Sequence, residues 1–124
     1  MEAQRKVLYI EDNLENRILV RRLLQSAGYD IIEAPNAKHA LNILSLEDPD
    51  LILMDINMPD TDGYTLTAEI KKDPRFNNTP IVAITANVMK GDREKTLNAG
   101  CAGYIEKPID VDTFLDLVSE YLAR

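Results

Sequence analysis

Ionisable or hydroxyl residues lie at or just after the end of four of the five short apolar runs in this sequence. Glu11 and Asp12 follow the first run, Asp55 follows the third, Thr85 ends the fourth and Lys107 comes just after the fifth. Open parallel sheets bind ligands beyond the carboxyl ends of their strands, so these side chains are predicted to share one sheet edge. Two carboxylates about 4 Å apart repel by roughly 4 kcal/mol at an effective dielectric near 20. Crowded carboxylates must therefore take up protons or bind a cation.

The residue types at this edge favour a divalent-metal site that can hold a phosphoryl group. Carboxylates, a backbone carbonyl and waters are ligands that suit Mg²⁺ or Mn²⁺. A divalent ion, the Lys107 ammonium and the Thr85 hydroxyl around one carboxylate are the parts needed to hold a phosphoryl group. An aspartate carboxylate can itself attack phosphorus and form an acyl phosphate. The spacing therefore predicts Asp55 as the covalent phosphoryl acceptor.

The elements that must position these residues alternate between strand-like and helical patterns. Three of the apolar runs are continuously apolar, which is typical of strands buried on both faces of a parallel sheet. The runs are, in order, Val7–Ile10, Asp30–Ala34, Leu51–Met54, Ile81–Thr85 and Gly103–Ile105. Helical spacing between the runs predicts a (βα)₅ fold of the α/β class, with one doubly wound, parallel, five-stranded sheet and helices on both faces.

Apolar spacing also predicts which face of each helix is buried. The fourth helix, about 88–99, has only Met89 and Leu97 as large apolar residues at helical positions, so it should be the least buried. The predicted core residues of the other helices are Leu19, Leu23 and Ala27, then Ala37, Ala40, Leu41 and Leu44, and finally Phe114, Leu117, Val118, Tyr121 and Leu122.

Polar residues and glycines are predicted to mark the ends of the helices. Asn13, Asn36 and Asp110 are predicted to cap helix amino ends. Gly28 and Gly100 stand where a helix must end in a left-handed residue. These signals agree with the helix limits that the apolar spacing predicts.

Composition excludes several other classes of protein. A length of 124 residues fits one domain, 1–124. The net charge of −7 argues against non-specific nucleic-acid binding, and the single Cys101 excludes an internal disulfide and a cysteine-built zinc site. No apolar run is long enough to span a membrane and the first residues do not form a signal peptide, so neither nucleic acid nor membrane is an expected partner and the cytoplasm is the expected compartment.

Four motifs, in this order, resemble those of response-regulator receiver domains of two-component and phosphorelay signalling. They are VLYIEDN at 7–13, LMDINMPDTDG at 53–63, ITAN at 84–87 and YIEKP at 104–108. The resemblance covers essentially the whole chain and implies the flavodoxin-like strand order 2-1-3-4-5. The stretch 85–101 is similar to receivers of hybrid sensor kinases and to their single-domain relatives.

The resemblance implies a metal-assisted phosphoacceptor site. Asp55 would take the phosphoryl group from a phosphohistidine on a partner. Asp12, Asp55 and the backbone carbonyl of Asn57 would bind Mg²⁺, and Glu11 would orient metal-bound water. Hydrolysis of the acyl phosphate by water is expected to be slow to moderate, because the flanking Asn57 and Asn87 offer amides rather than strong bases.

The resemblance also implies how phosphorylation is read. Thr85, Lys107, Asn57 and the backbone N–H of Ala86 would contact the phosphoryl group, and Tyr104 would turn inward as Thr85 moves. The Lys107–Pro108 peptide is expected to be cis. Gly63 fits the turn that opens the third helix.

The function that follows is a signalling switch rather than an enzyme, although the domain assists its own phosphorylation and dephosphorylation. Its expected partners are a sensor histidine kinase or a histidine phosphotransfer protein and a downstream effector protein, which would contact the fourth helix, fifth strand and fifth helix. The initiating Met1 and a closing helix favour a stand-alone receiver over an excised module of a hybrid kinase.

Three other functions are less favoured by the sequence. A Mg²⁺-dependent phosphohydrolase with an aspartate nucleophile usually has a second aspartate where this chain has Asn57, and it usually carries a cap domain. A flavodoxin-like cofactor site would need glycines and hydroxyls in the acidic loop 11–15. A receiver that cannot be phosphorylated would lack part of the residue set.

Several other polar residues have simpler interpretations. Arg17, Arg21 and Arg22 form a basic stripe on the first helix, either a solvated face or a docking edge for the phosphoryl donor. His39 is expected to be exposed on the second helix. Cys101 is expected to pack as a small residue after Gly100.

Overall fold

A computed structural model describes residues 4–86 and 90–123, with residues 90–92 described by their backbone alone. Within these residues, five strands alternate with five α-helices, and a short 3₁₀ turn precedes the fourth strand. The strands are β1 (Lys6–Ile10), β2 (Asp30–Ala34), β3 (Leu51–Asp55), β4 (Ile81–Thr85) and β5 (Gly103–Glu106). The helices are α1 (Leu14–Ser26), α2 (Ala37–Leu44), α3 (Gly63–Lys71), α4 (Lys90–Ala99) and α5 (Phe114–Leu122), and the 3₁₀ turn is Pro74–Phe76.

The five strands form one parallel sheet in the order β2-β1-β3-β4-β5. This confirms the predicted doubly wound α/β fold and its strand order. The order reverses between β1 and β3, because the chain adds β2 on one side of β1 and β3 on the other. Ile10 pairs with Met54, and Asp55 pairs with Ile84 on the next strand. The acidic residues that follow β1 and end β3 therefore meet at the crevice where such sheets bind ligands.

Each face of the sheet is covered by its own hydrophobic cluster. Successive strand residues point to opposite faces, so Leu8 and Ile10 belong to one cluster and Val7 and Tyr9 to the other. The first cluster includes Ala40 and Leu44 of α2 and Leu66 and Ile70 of α3, and the second includes Val20 and Leu24 of α1 and Phe114 and Val118 of α5. Burial on both faces explains why the central strands are continuously apolar.

The predicted buried face of α1 is wrong. Val20 and Leu24 are fully buried, whereas Leu19 is 37% exposed and Ala27 is exposed. Leu23 is half-buried against the same cluster. The helix carries two sets of apolar residues at i, i+4 spacing, one beginning at Leu19 and the other at Val20. Contact with the sheet determines which of the two sets is buried.

The other helix faces agree better with prediction. Phe114, Val118 and Tyr121 of α5 are buried, and Ala40 and Leu44 of α2 are buried. The prediction was wrong for Leu41, which is 37% exposed. Leu97 is 53% exposed, in agreement with the prediction that the fourth helix is little buried. In α4 the described side chains are those of residues 93–99, and of these only Thr96 is buried; Met89 lies outside the described residues. No helix in the described part of the chain has the length and apolar character needed to cross a bilayer.

The helix ends confirm most of the predicted caps. The side chains of Asn13 and Asn36 accept hydrogen bonds from backbone N–H groups in the first turns of α1 and α2. Gly28 and Gly100 have φ values of +85° and +108°. Asp62, which sequence analysis missed, caps α3.

Asp110 is not the cap of α5. The helix begins at Phe114, and Asp110 instead accepts a hydrogen bond from the Asp112 N–H through Oδ1, at 2.9 Å. The Asp110 carbonyl accepts from the Phe114 N–H at 2.9 Å. Asp110 therefore closes the turn before the helix. Its side chain accepts from a backbone N–H, as a helix cap does, but it does so one turn before the helix begins.

Candidate functional site

Three carboxylates from two neighbouring strands meet at the carboxyl edge of the sheet. Glu11 and Asp12 leave the end of β1, Asp55 ends β3, and one oxygen from each lies within 4.8 Å of the others. Glu11 is 1% exposed and Asp55 is 2% exposed, whereas Asp12 is open to solvent. The cluster thus has two buried acids and one exposed acid at its rim.

Lys107 supplies the positive charge of the cluster. Its Nζ donates to Asp55 Oδ1 at 2.8 Å and lies 3.8 Å from Glu11 Oε1. The backbone N–H of Asn57 donates to the same Asp55 oxygen at 2.9 Å. Lys107 follows β5, its N–H donates to the Thr85 carbonyl at 2.8 Å, and its peptide bond to Pro108 is cis, as predicted. Two donors therefore fix Asp55 Oδ1.

The two buried acids ionise at different pH. Burial raises the pKa of Glu11 to about 7, and the neighbouring Asp55 carboxyl adds to this rise. Burial works in the same direction on Asp55, but the neighbouring Glu11 carboxyl, the Lys107 ammonium and the Asn57 N–H outweigh it and lower the Asp55 pKa. Asp55 is therefore the ionised member of the pair when Glu11 still holds its proton.

The two oxygens of Glu11 have different surroundings. Oε1 accepts a hydrogen bond from the Tyr9 hydroxyl at 3.1 Å and one from Asn16 Nδ2 at 2.8 Å. Oε2 is buried and has no hydrogen-bond partner among the described residues. Neither donor was predicted from the sequence. The available signals were the strand alternation that puts Tyr9 on the same face as Glu11, and the place of Asn16 in the first turn of α1.

The donor set fits a hard divalent cation. A buried carboxylate oxygen without a partner is costly unless a cation or water binds it. Here the Glu11 side chain belongs to a cluster of three carboxylates, whose hard oxygen atoms are the ligand type that Mg²⁺ and Mn²⁺ prefer. Glu11, Asp12 and Asp55 could hold such an ion together with a backbone carbonyl and waters.

The remaining predicted site residues lie on β4 and β5 and in the loops that follow β3 and β4. Thr85 is buried at the end of β4, and Tyr104 is half-buried on β5. The backbone N–H of Ala86 donates to Asn57 Oδ1 at 3.1 Å, so two predicted phosphoryl-binding residues bind each other in this structure. Asn87 lies outside the described residues.

The basic stripe of α1 divides into two parts. Arg17 donates from Nη1 to the carbonyl oxygens of Glu11 and Asp12, at 2.8 and 3.2 Å. Arg21 forms two hydrogen bonds to Glu33, at 2.8 and 2.9 Å. Arg17 and Arg21 are thus half-buried structural residues, and Arg17 ties down the loop that carries the acidic pair, whereas Arg22 is exposed.

Two other residues lie where the sequence predicted. His39 is exposed on α2, with its Nδ1 at 2.9 Å from Asn36 Oδ1. Cys101 is 6% exposed and packs in the cluster on the α2–α3 face of the sheet.

Comparison with known proteins identifies the family of the chain. A family model of the response regulator receiver domain matches residues 7–119. The chain belongs to the response regulator receiver family. Receiver domains of this family act in two-component signalling, generally as switches rather than enzymes.

Relatives of this receiver domain include regulators and kinase modules. It is 40% identical over 118 residues to the polar-differentiation response regulator DivK of Brucella anthropi, covering 95% of this chain and 96% of DivK. The structure of chemotaxis response regulator CheY4 of Vibrio cholerae has a TM-score of 0.91 at 26% identity, covering 96% of this chain and 99% of that one. The receiver domain of sensor histidine kinase PA1611 from Pseudomonas aeruginosa has a TM-score of 0.88 at 32% identity, covering 98% and 100%, and that structure has a magnesium ion coordinated in its active-site cleft.

Proposed function

We propose that residues 1–124 act as one receiver domain that accepts a phosphoryl group on Asp55 and signals through contacts with other proteins. The observation that carries this proposal is the buried Asp55 carboxylate, held by the Lys107 ammonium at 2.8 Å beside two further carboxylates. The donor would be a phosphohistidine on a sensor histidine kinase or a histidine phosphotransfer protein. Such a donor would meet this chain in the cytoplasm, which is the compartment we propose.

The metal of the proposed site is Mg²⁺ or Mn²⁺. Glu11, Asp12, Asp55 and the backbone carbonyl of Asn57 would hold it, directly or through water. When bound, it would neutralise charge between the acceptor carboxylate and the incoming phosphoryl oxygens. The PA1611 receiver, with magnesium coordinated in its active-site cleft, supports this assignment.

The chain's own residues prepare Asp55 for transfer. Hydrogen bonds from Lys107 and from the Asn57 N–H favour the ionised carboxylate, which is the nucleophilic form. A carboxylate oxygen of Asp55 forms a bond to phosphorus while the bond from phosphorus to the donor imidazole nitrogen breaks. The electron pair of that bond stays on the imidazole, which then takes up a proton. Lys107 remains paired with the charged group throughout.

The switch would follow from contacts that exist only after transfer. The Thr85 hydroxyl and the Ala86 N–H would donate to phosphoryl oxygens, so Ala86 would exchange its 3.1 Å bond with Asn57 for a new one. Movement of Thr85 would let Tyr104 turn inward. Such differential contacts shift a two-state equilibrium, and the surface formed by α4, β5 and α5 would report it to an effector.

The same site would release its phosphoryl group to water. The nearby side chain of Asn57 is an amide, which is a weak base, so we propose slow to moderate autodephosphorylation. The domain would thereby reset itself without turning over an external substrate.

An Asp55→Asn variant tests the proposal. The full chain is incubated with Mg²⁺ and phosphoramidate, and the intact mass and the melting temperature are measured. Wild type and the exposed-loop control Asp60→Asn, which makes the same charge change, should gain one phosphoryl group. Asp55→Asn should gain none, while a cooperative melting transition shows that the variant is folded. Labelling of Asp55→Asn at the wild-type rate would assign the acceptor to another residue and overturn the proposal.

A further inference from the structure

Glu11 is held through only one of its two carboxylate oxygens. The Tyr9 hydroxyl and Asn16 Nδ2 both donate to Oε1, at 3.1 and 2.8 Å, and Lys107 Nζ lies 3.8 Å from the same oxygen. Oε2 is buried with no hydrogen-bond partner in the described part of the chain. The side chain thus keeps a single oxygen that is not committed to a donor among the described residues.

Both donors stand on rigid parts of the fold. Tyr9 is fully buried in the centre of β1 and packs in the cluster beneath α1 and α5, so its ring has a fixed position. A tyrosine hydroxyl in such surroundings requires a partner, and Glu11 Oε1 provides it. Asn16 lies in the first turn of α1, where its own N–H is bound by the capping side chain of Asn13 at 2.9 Å. The carboxylate of Glu11 therefore has little freedom to rotate.

We infer that Tyr9 and Asn16 are positioning residues that restrict Glu11 to one free oxygen and thereby make the site favour Mg²⁺ over Ca²⁺. Calcium takes more oxygen ligands than magnesium, in flexible shells that often include a carboxylate bound through both oxygens. Magnesium demands a small octahedral shell and uses single carboxylate oxygens and waters. Because Oε1 of Glu11 already accepts from two donors, Glu11 can offer a metal ion one oxygen, as Mg²⁺ requires. It cannot readily bind through both oxygens, as Ca²⁺ often does. This inference rests on the divalent-metal site of the proposed function.

Metal titration of matched variants tests the inference. Dissociation constants for Mg²⁺ and for Ca²⁺ are measured by calorimetry on the wild type, Tyr9→Phe and Asn16→Ala, at one alkaline pH where the carboxylates are ionised. Loss of a partner that orients a metal ligand typically weakens affinity by about tenfold or more. We expect roughly that loss for Mg²⁺ in both variants and a smaller loss for Ca²⁺. The ratio of the calcium constant to the magnesium constant should fall at least about threefold.

Tyr29→Phe is the matched control. Tyr29 is half-buried against the same cluster as Tyr9 but lies just before β2, at the opposite end of the sheet. Removing its hydroxyl should leave both dissociation constants and their ratio unchanged. Melting curves of the metal-free variants report any general loss of stability, which would not change the preference between the two ions.

The possible results separate this inference from the proposal on which it rests. If the wild type binds Mg²⁺ and the ratio of constants is unchanged in Tyr9→Phe and Asn16→Ala, the positioning role is overturned and the proposed site stands. If the wild type binds no Mg²⁺, the metal site and this inference are both overturned. Should Tyr9→Phe fail to fold, Asn16→Ala carries the test, because Asn16 is only half-buried.

Discussion

Glu11 and Asp55 are adjacent carboxylic acids with opposite electrostatic roles. Burial, reinforced by Asp55, raises the pKa of Glu11 to about 7, whereas the neighbouring Glu11 carboxyl and the Lys107 ammonium outweigh burial and lower the pKa of Asp55. The difference separates an acid that tends to hold a proton from a carboxylate in the ionised form that the proposed phosphoryl transfer requires. Binding of a divalent cation would displace the proton from Glu11.

The raised pKa of Glu11 makes the stability of the metal-free protein depend on pH. The folded chain binds more protons than the unfolded chain between about 4.5 and about 7, so the free energy of unfolding falls as pH rises through this range. The loss should reach about 3 kcal/mol at most. The Asp55 contribution has the opposite sign: it is present above the ordinary pKa of about 3.8 and is lost as the pH falls through the lowered pKa. Urea unfolding in chelator at several pH values measures the slope.

Glu11→Gln is the variant that isolates this effect. The amide oxygen can still accept from Tyr9 and Asn16, but the side chain no longer titrates. The free energy of unfolding of Glu11→Gln should be nearly constant from about pH 5 to about pH 8. A slope as steep as that of the wild type would assign the pH dependence to another group.

The acidic residues themselves could be predicted from the sequence, because their positions after apolar runs are visible there. Their partners could not. Strand alternation places Tyr9 and Glu11 on one face, but whether a hydroxyl reaches a carboxylate depends on side-chain rotamers and on the packing of α1. The bond between Ala86 and Asn57 joins two loops far apart in sequence, and no local pattern encodes it.

At the scale of elements, the start of α3 is pressed against the end of β3. A Cβ added to Gly63 would lie 2.8 Å from Ile56 Cδ1, 3.1 Å from Ile56 Cα and 3.2 Å from the Asp55 carbonyl oxygen. Only a residue without a side chain lets the helix begin this close to the strand. This contact fixes the path of the loop that carries Asn57.

Gly63→Ala should therefore destabilise the protein by about 1–3 kcal/mol, the usual cost of overpacking. Urea unfolding measures the loss, and the amide resonance of Asn57 reports displacement of the loop. The double variant with Ile56→Ala should recover only part of the stability, because the contacts with the Ile56 Cα and the Asp55 carbonyl remain. Wild-type stability of Gly63→Ala would show that the helix can move away at no cost.

The strands could be predicted more accurately than the helix faces. Continuous apolar runs fix the limits of buried strands to within a residue, since few other structures bury both sides of a segment. The helix α1 instead offers two apolar spacings, and its contact with the sheet buried Val20 and Leu24 rather than Leu19 and Ala27. Asp110 failed as a cap because the turn before α5 uses its side chain first.

At the scale of the molecule, the five-stranded order could not be read from spacing. Strand and helix spacing predict five βα units, but many strand orders share that pattern. The order 2-1-3-4-5 came from the family resemblance, which the sheet confirms. Physical patterning thus predicted the class of the fold, and motif resemblance was needed to choose its topology.

Divalent metal should stabilise the whole chain by mass action. An ion that binds only the folded state adds about 2.7 kcal/mol to the free energy of unfolding at a concentration 100 times its dissociation constant. Addition of Mg²⁺ should raise the urea midpoint of the wild type and of Asp60→Asn. Asp12→Asn should lose most of this gain without loss of metal-free stability, since Asp12 is exposed at the rim. An equal gain in Asp12→Asn would argue for a binding site elsewhere.

The hydrogen bond from Arg5 Nη1 to the Leu122 carbonyl, 3.1 Å long, brings the amino end of β1 beside the carboxyl end of α5. Both lie at the edge formed by the amino ends of the strands, whereas the acidic cluster lies at the edge formed by their carboxyl ends. A fluorophore, purification tag or fused protein attached near either position would keep clear of the acidic cluster. For the same reason, a short peptide joining the two positions would make this chain a suitable starting point for circular permutation.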